Sequence, residues 1–530
     1  MYFHHQALAA GLVVALGSTL LACSSDDSSS PAAMGGMGGS AGSDAGGDSA
    51  AGAGGSAGAS GTGGSKDGGM GGAAGSDAGT KAMLRVVHAS PTAPAVDLYV
   101  KGSSTPVASG LQYGKSTSYL EVPAGTYDIE IRAAGASPSD PPAFEVTGLA
   151  LADGAKYTAV AAGDLASTNA DDKFRVLPLE EKFEAAAAGK VRLRIVHAGF
   201  DAPTVDLDVG NDDPTKPEIS AVARFADTGA AGVELPAAQA LQVGIASASS
   251  TVTAFSAPPL PEGVQAFVIA TGELKLAPRD DKGFALLAVL PDSTTVWLKQ
   301  NPFVYALHAS PDAPAVDIYA GAAEVFDNVA FGQMGRIQVP PSDYTLDFFA
   351  GQAGPTPKPA GAPAASAKTP KLEAGGSYLA IATGLLAQTG EKAFQLVALA
   401  EGFDVPDSGK TRVRVVHASP DAPAVDLGTV TTAGTLDPSP PITNLSFPGA
   451  TDAMGLALPA TALTLGLAAT GSLSTVKEFA VALPDGGRLF AIAAGMLSPA
   501  ANQPPLQLLV VNASSTSILD KWTVASVPAK

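Results

Sequence analysis

The chain has 530 residues, too many for one hydrophobic core, so about three to five domains of ~100–200 residues are expected. Charged residues make up 15% and aromatics 6%, while Gly (60) and Pro (41) abound, a mix suited to short strands and many turns rather than long salt-bridged helices. A net charge of −19, with Lys and Arg scattered singly, repels phosphate backbones and argues against nucleic acid as a partner; the single Cys, Cys23, rules out an internal disulfide or a Cys-based zinc set.

The first element in chain order is an apolar run over residues 7–21, too short to span a ~30 Å hydrocarbon core but of the length of a signal-peptide h-region. It ends in Leu20-Leu21-Ala22-Cys23, which resembles the lipobox of bacterial lipoproteins. The resemblance implies removal of residues 1–22 and lipid attachment at Cys23, with several acyl chains because one chain alone holds a protein only weakly. Met1 to Gln6 departs from the usual signal peptide in having His4 and His5 but no Lys or Arg. Residues 24–80 contain no Leu, Ile, Val or aromatic residue, so nothing there can offset the entropy of ordering. Residues 23–81 are therefore expected to form a disordered tether with an r.m.s. reach of ~40 Å. The expected address is the cell envelope, with the membrane as partner through the lipid; Ser24 after the lipidated Cys favours the outer membrane or cell surface.

Four copies of one pattern follow. They open at His88-Ala89-Ser90-Pro91-Thr92-Ala93-Pro94-Ala95-Val96-Asp97, at His197-Ala198-Gly199-Phe200-Asp201 with Asp206, at His308-Ala309-Ser310-Pro311-Asp312 with Asp317, and at His417-Ala418-Ser419-Pro420-Asp421 with Asp426. Successive His residues are 109, 111 and 109 apart (197 − 88, 308 − 197, 417 − 308), a period of whole domains rather than of a solenoid. Each copy then has an alternating strand (Tyr127/Ile129/Ile131 in the first), a Gly-x-Leu step (Gly163, Gly272, Gly384, Gly495) and a last strand opened by Phe174, Phe284, Phe394 or Leu506. Short strands split by Gly/Pro/Ser turns predict an all-β protein of four tandem antiparallel Ig-like β-sandwich modules at residues 82–187, 190–297, 302–405 and 410–515, with a C-terminal tail at 516–530. Residues 179–190 are the one stretch where a short helix is expected. About 100 residues suffice for one sandwich core, so the third copy is expected to fold alone.

The ten-residue motif resembles the family known as domain of unknown function (DUF) 4397, over roughly residues 82–515. The second copy departs most, with Gly199-Phe200 in place of Ser-Pro, and Gly428 in the fourth stands where Tyr99 and Tyr319 stand in the first and third. The resemblance implies bacterial secreted or surface proteins with sandwich-like modules, and no activity.

His88, His197, His308 and His417 fall on inward strand positions, where an imidazole can bond the backbone of the Pro-rich turn that follows. Asp97, Asp206, Asp317 and Asp426 fall on outward positions of the next strand, as does Tyr99, so a His–Asp pair is not expected unless a bulge intervenes. The recurrent His and Asp are read as structural, since each copy offers one His and no partner set for catalysis or metal. Two Gly-x-Ser-x-Gly matches (Gly38 to Gly42, Gly54 to Gly58) sit in the tether, away from any strand-to-helix elbow. Asp206, Asp208, Asp212 and Asp213 offer the oxygens Ca²⁺ takes, but lack EF-hand spacing and have no counterpart in the other copies, so a solvated hairpin is expected there. No catalytic residue, metal or cofactor is expected. The leading expectation is a non-enzymatic envelope protein whose repeated modules bind a surface polymer or protein, with a structural spacer and, lower, a hydrolase as rivals.

Overall fold

The computed structural model describes residues 81–515 and 517–530, so the signal peptide, Cys23 and the tether up to Thr80 lie outside the described residues. Strands make eight small sheets, two to a module. Among the described residues the one helical piece is a 3-10 turn at Gly390–Lys392.

The first module shows the plan. Its strands are β1 (Lys81–His88), β2 (Val96–Val100), β3 (Ala108–Leu111), β4 (Leu120–Pro123), β5 (Gly125–Ala133), β6 (Phe144–Leu151), β7 (Lys156–Ala162) and β8 (Arg175–Glu180). One sheet runs β4-β1-β7-β8 and the other β3-β2-β5-β6. Leu84, Val86, Leu98, Ile131, Leu149 and Phe174 meet between them as the core.

Not every pair is antiparallel, contrary to expectation: β1 runs parallel to β7, and the same parallel pair recurs in every module. Hairpin turns allow only antiparallel neighbours, but the chain visits the second sheet between β1 and β7, and that long crossover permits a parallel return.

The expected helix over residues 179–190 is absent. Leu179 and Glu180 belong to β8, where Leu179 pairs across from Thr158. Phe183 then turns its ring onto Phe267 of the second module at 5.3 Å between centroids, so packing overrides a local helical leaning.

Modules pack on one another through the outer face of the His-bearing sheet. Leu84 and Val86 of β1 face their own core, whereas Val87 and Ala89 join Val196, Ala198, Phe267, Ile269, Leu287 and Val289 of the second module. The third and fourth modules do the same, with Tyr305, Leu307 and Ala309 against Val416, Ala418, Phe490 and Ile492. This explains why the first strand of each copy reads as a nearly continuous apolar run, as strands covered on both faces do.

The second and fourth modules carry an extra edge strand on this sheet, Thr295–Leu298 and Thr523–Pro528. The latter lies in the segment expected to be a tail; it is instead hydrogen-bonded to Gln507–Asn512 as part of the fourth module's sheet. Trp297 lies within the first of these strands and Trp522 just before the second, and each rests on the preceding module. Trp297 lies 5.2 Å from Tyr113, and Trp522 is stacked on Tyr305 at 4.1 Å with the planes 7° apart.

Candidate functional site

The recurrent motif begins where β1 ends. His88 Nε2 donates to the Pro94 carbonyl at 2.9 Å, and the contact repeats from His197 to Pro203 (2.8 Å), His308 to Pro314 (2.9 Å) and His417 to Pro423 (3.0 Å). A carbonyl only accepts, so Nε2 carries the proton and Nδ1 is left as an acceptor. Ser90 and Ser419 N–H approach it at 3.4 Å, while Nδ1 of His197 and His308 has no partner. All four rings are at most 2% exposed. Burial pushes each imidazole below its usual 6.5, and the proline contact opposes that only in part. Four neutral imidazoles thus tie the strand end to the turn.

The rest of the motif grips the Gly-x-Leu step on the neighbouring strand. Ser90 Oγ donates to Gly163 O at 2.6 Å and Ser310 Oγ to Gly384 O at 2.8 Å. Asp201, Asp312 and Asp421 accept from Leu274 (2.9 Å), Leu386 (2.9 Å) and Leu497 (2.7 Å) N–H, and in the first copy Thr92 Oγ1 takes Leu165 N–H at 3.1 Å. Gly163 sits at φ +91°, and a Cβ there would stand 2.5 Å from Lys173 O, so only glycine allows this approach.

The second motif Asp is buried despite its outward strand position. Asp97, Asp317 and Asp426 are 6%, 0% and 5% exposed, and Tyr99 beside the first is 4% exposed. They do lie on the outer face of the second sheet, but two backbone N–H groups cover each carboxylate: Gly110 and Gly135 on Asp97 (2.7 and 2.9 Å), Asn328 and Gln352 on Asp317 (2.9 and 3.1 Å), Asn444 and Gly471 on Asp426 (2.7 and 2.9 Å). Asp206 is half-buried and takes Ala221 N–H at 2.7 Å. The first donor in each set is a left-handed residue, Gly110, Ala221, Asn328 or Asn444, at φ between 50° and 63°. It sits in a β-bulge, marked by a register shift at the same place in all four copies, that aims an otherwise unpaired N–H at the carboxylate. His and Asp therefore stand on different sheets, each with backbone partners, and are not brought together.

Sequence reasoning missed the residues that join modules. Thr271 Oγ1 donates to Ala89 O of the first module at 2.6 Å, and Thr383 Oγ1 to Ala418 O of the fourth at 2.9 Å. The signal was present: these two precede the recurrent Gly, where the other copies have Ala162 and Ala494. Arg85, 1% exposed, likewise reaches Leu290 O of the second module at 2.7 Å.

In the acidic stretch of the second module, Asp213 pairs with Lys216 at 2.8 Å and Asp212 is exposed, as a solvated hairpin requires. Asp208 does not fit: it is 1% exposed. The two Gly-x-Ser-x-Gly matches lie outside the described residues.

The family described as "Domain of unknown function (DUF4397)" matches residues 82–208 and again 302–428. The two matches are offset by 220 residues at both ends (302 − 82, 428 − 208), so the repeat also has a two-module period. Each match begins at the first strand of one module and ends within the second strand of the next, Val205–Val209 or Val425–Thr429. No curated protein matches the chain. Among solved structures it is similar to "The Bacillus anthracis TIE protein", at 9% identity and a TM-score of 0.13, over 75% of this chain and 64% of that one. The chain thus spans less than two thirds of that protein's length.

Proposed function

We propose that this chain, which is made of tandem DUF4397-like modules, works as a non-catalytic binding protein held in the cell envelope by a lipid on Cys23, with a surface polymer or protein as its ligand. One observation carries the reading. The scaffold is constant from copy to copy, whereas the second sheets differ at the accessible position four residues beyond the motif Asp: Lys101, Gly210, Gly321 and Val430. The His-bearing sheets are covered between modules, so a ligand would meet the second sheets and their loops. Linked modules raise avidity when more than one is engaged.

A spacer is the second reading, favoured by the apolar packing between modules, which stiffens the chain as a strut would need. The discriminating experiment is a binding screen of residues 81–530 against glycans, envelope polymers and envelope proteins. A saturable ligand whose binding falls when second-sheet surface residues such as Lys101 and Glu145 are reversed in charge supports the binding protein. A screen without any saturable ligand favours the spacer.

A further inference from the structure

The two halves of the chain treat the arginines of the His-bearing sheets differently. In the second module Arg192 lies 3.3 Å from both Glu184 and Glu234, and Arg194 lies 2.7 Å from Asp227. The fourth module keeps the arginines, as Arg412 and Arg414, but not the acids. Ala457 stands opposite Arg412 where Glu234 stands opposite Arg192, and Ala450 stands opposite Val416 where Asp227 stands opposite Val196. On the next strand the change runs the other way: Arg488 lies beside Arg412 where Gln265 lies beside Arg192. Like charges side by side on paired strands repel.

Little in the chain offsets that repulsion. Arg412 has Asp404 at 3.7 Å, and Arg414 donates to the Thr451 and Ala400 carbonyls at 3.1 and 2.9 Å. Among the described residues Arg488 forms no ion pair, and its buried Nε has no acceptor. The Arg192 Nε also lacks an acceptor, yet its Nη2 reaches two carboxylates. A chain of net charge −19 has acids to spare, so leaving these cations unmatched needs a reason.

Arg488 lines a cleft where the second, third and fourth modules meet, of about 410 Å³ counting the solvent at its mouth. Arg336 of the third module lines it as well, with Ser377, Ser517 and Trp522. Arg336 is steadied by the Ile518 and Asp520 carbonyls (3.3 and 3.0 Å) and by the Phe303 ring 4.7 Å away. The acids on the cleft are Glu401, paired with Arg279 at 2.7 Å, and Asp520, which takes the Ser515 hydroxyl at 2.8 Å. We propose that this cleft binds an oxyanion, the carboxylate or phosphate group of a small ligand, held by Arg488 with Arg336 as the second cation. The planar guanidinium fork fits both groups, and serine hydroxyls can donate alongside it. The inference does not rest on the binding-protein reading, which places its ligand on the second sheets.

The test is calorimetric titration of sodium glucuronate, inorganic phosphate and glucose into the full chain at low ionic strength. Saturable binding at one site is expected for glucuronate or phosphate, and which of the two binds tells a carboxylate from a phosphate; none is expected for glucose. Arg488→Gln installs the residue that the second module holds there and should weaken binding by about tenfold or more, the worth of a charge-assisted hydrogen bond. Ala457→Glu, at an exposed position, supplies the carboxylate that Arg192 has and should weaken binding as well. Arg192→Gln should leave the affinity unchanged. Absence of saturable binding of either anion, equal binding of glucose, or an affinity unchanged in Arg488→Gln (or in Ala457→Glu, should Arg488→Gln fail to fold) overturns the proposal.

Discussion

A histidine that donates to a proline carbonyl six residues on has one protonation state that fits its place. The unfolded chain takes up protons near pH 6.5, while the buried, neutral imidazole resists them. Because the folded value lies below the unfolded one, this contribution to stability is present above about pH 6.5 and is lost as pH falls toward the folded value, with a slope of up to ~1.4 kcal/mol per pH unit for each His. Urea unfolding of residues 81–530 should therefore give a midpoint that falls on acidification, and His308→Gln should make that fall shallower; an unchanged pH dependence in the variant would contradict the assignment. The motif Asp makes a different demand. Asp97→Ala leaves the Gly110 and Gly135 N–H groups without their acceptor and should cost about 1–3 kcal/mol at neutral pH, read as a lower urea midpoint. The inward position of the His was legible from strand alternation. The Asp environment was not, because alternation places a side chain on a face and cannot show that a bulge will fold two N–H groups over it.

At the level of the element, the first strand of each module is the informative one. Alternating residues of Phe303–His308 serve two cores, Val304 and Ala306 facing inward while Tyr305 and Leu307 lie under the fourth module and Trp522. The third module thus leaves the outer face of its first strand to be covered by the fourth. Expressed as residues 302–405 it should expose Tyr305 and Leu307 and aggregate or unfold without a cooperative transition, whereas residues 302–530 should unfold cooperatively; a monomeric, cooperatively folded single module would refute this. Trp522→Ala removes an 8%-exposed ring packed on Tyr305 and near Phe490, and should destabilise that pair by ~3–5 kcal/mol in calorimetry or denaturant unfolding. The continuous apolar run was visible in the sequence and marks a strand covered on both faces. Its partner was not visible, since a hydrophobic face carries no label for what covers it.

Across the whole molecule, two physical regimes succeed one another along the chain. Residues 24–80 contain no Leu, Ile, Val or aromatic residue and only Met34, Met37 and Met70 as large apolar side chains, whereas beyond Lys81 every module contributes to a shared core. Cys23 is expected to anchor the first regime to a membrane. Cys23→Ala should move the protein from the membrane to the soluble fraction or stop its maturation, checked by fractionation and mass spectrometry of the N-terminal peptide; full membrane retention of the unmodified variant would rule the anchor out. The second regime is joined at several points. Besides the two face-to-face pairings, Gln338 of the third module donates to Asn301 O at 2.8 Å and accepts from Ala254 N–H of the second at 2.9 Å, so the second and third modules are tied as well.

The four-fold repeat, the all-β class and the inward strand position of the recurrent His followed from the sequence alone, because they depend on local signals: a repeated motif, strand periodicity and turn residues. The parallel strand pair, the burial of the motif Asp and of Asp208, and the last strand at Thr523–Pro528 were decided by tertiary structure. Each depends on which distant segment comes to lie beside a residue. That choice is made by burying apolar area and satisfying backbone N–H groups over the whole chain, and neither quantity can be summed from a window of sequence.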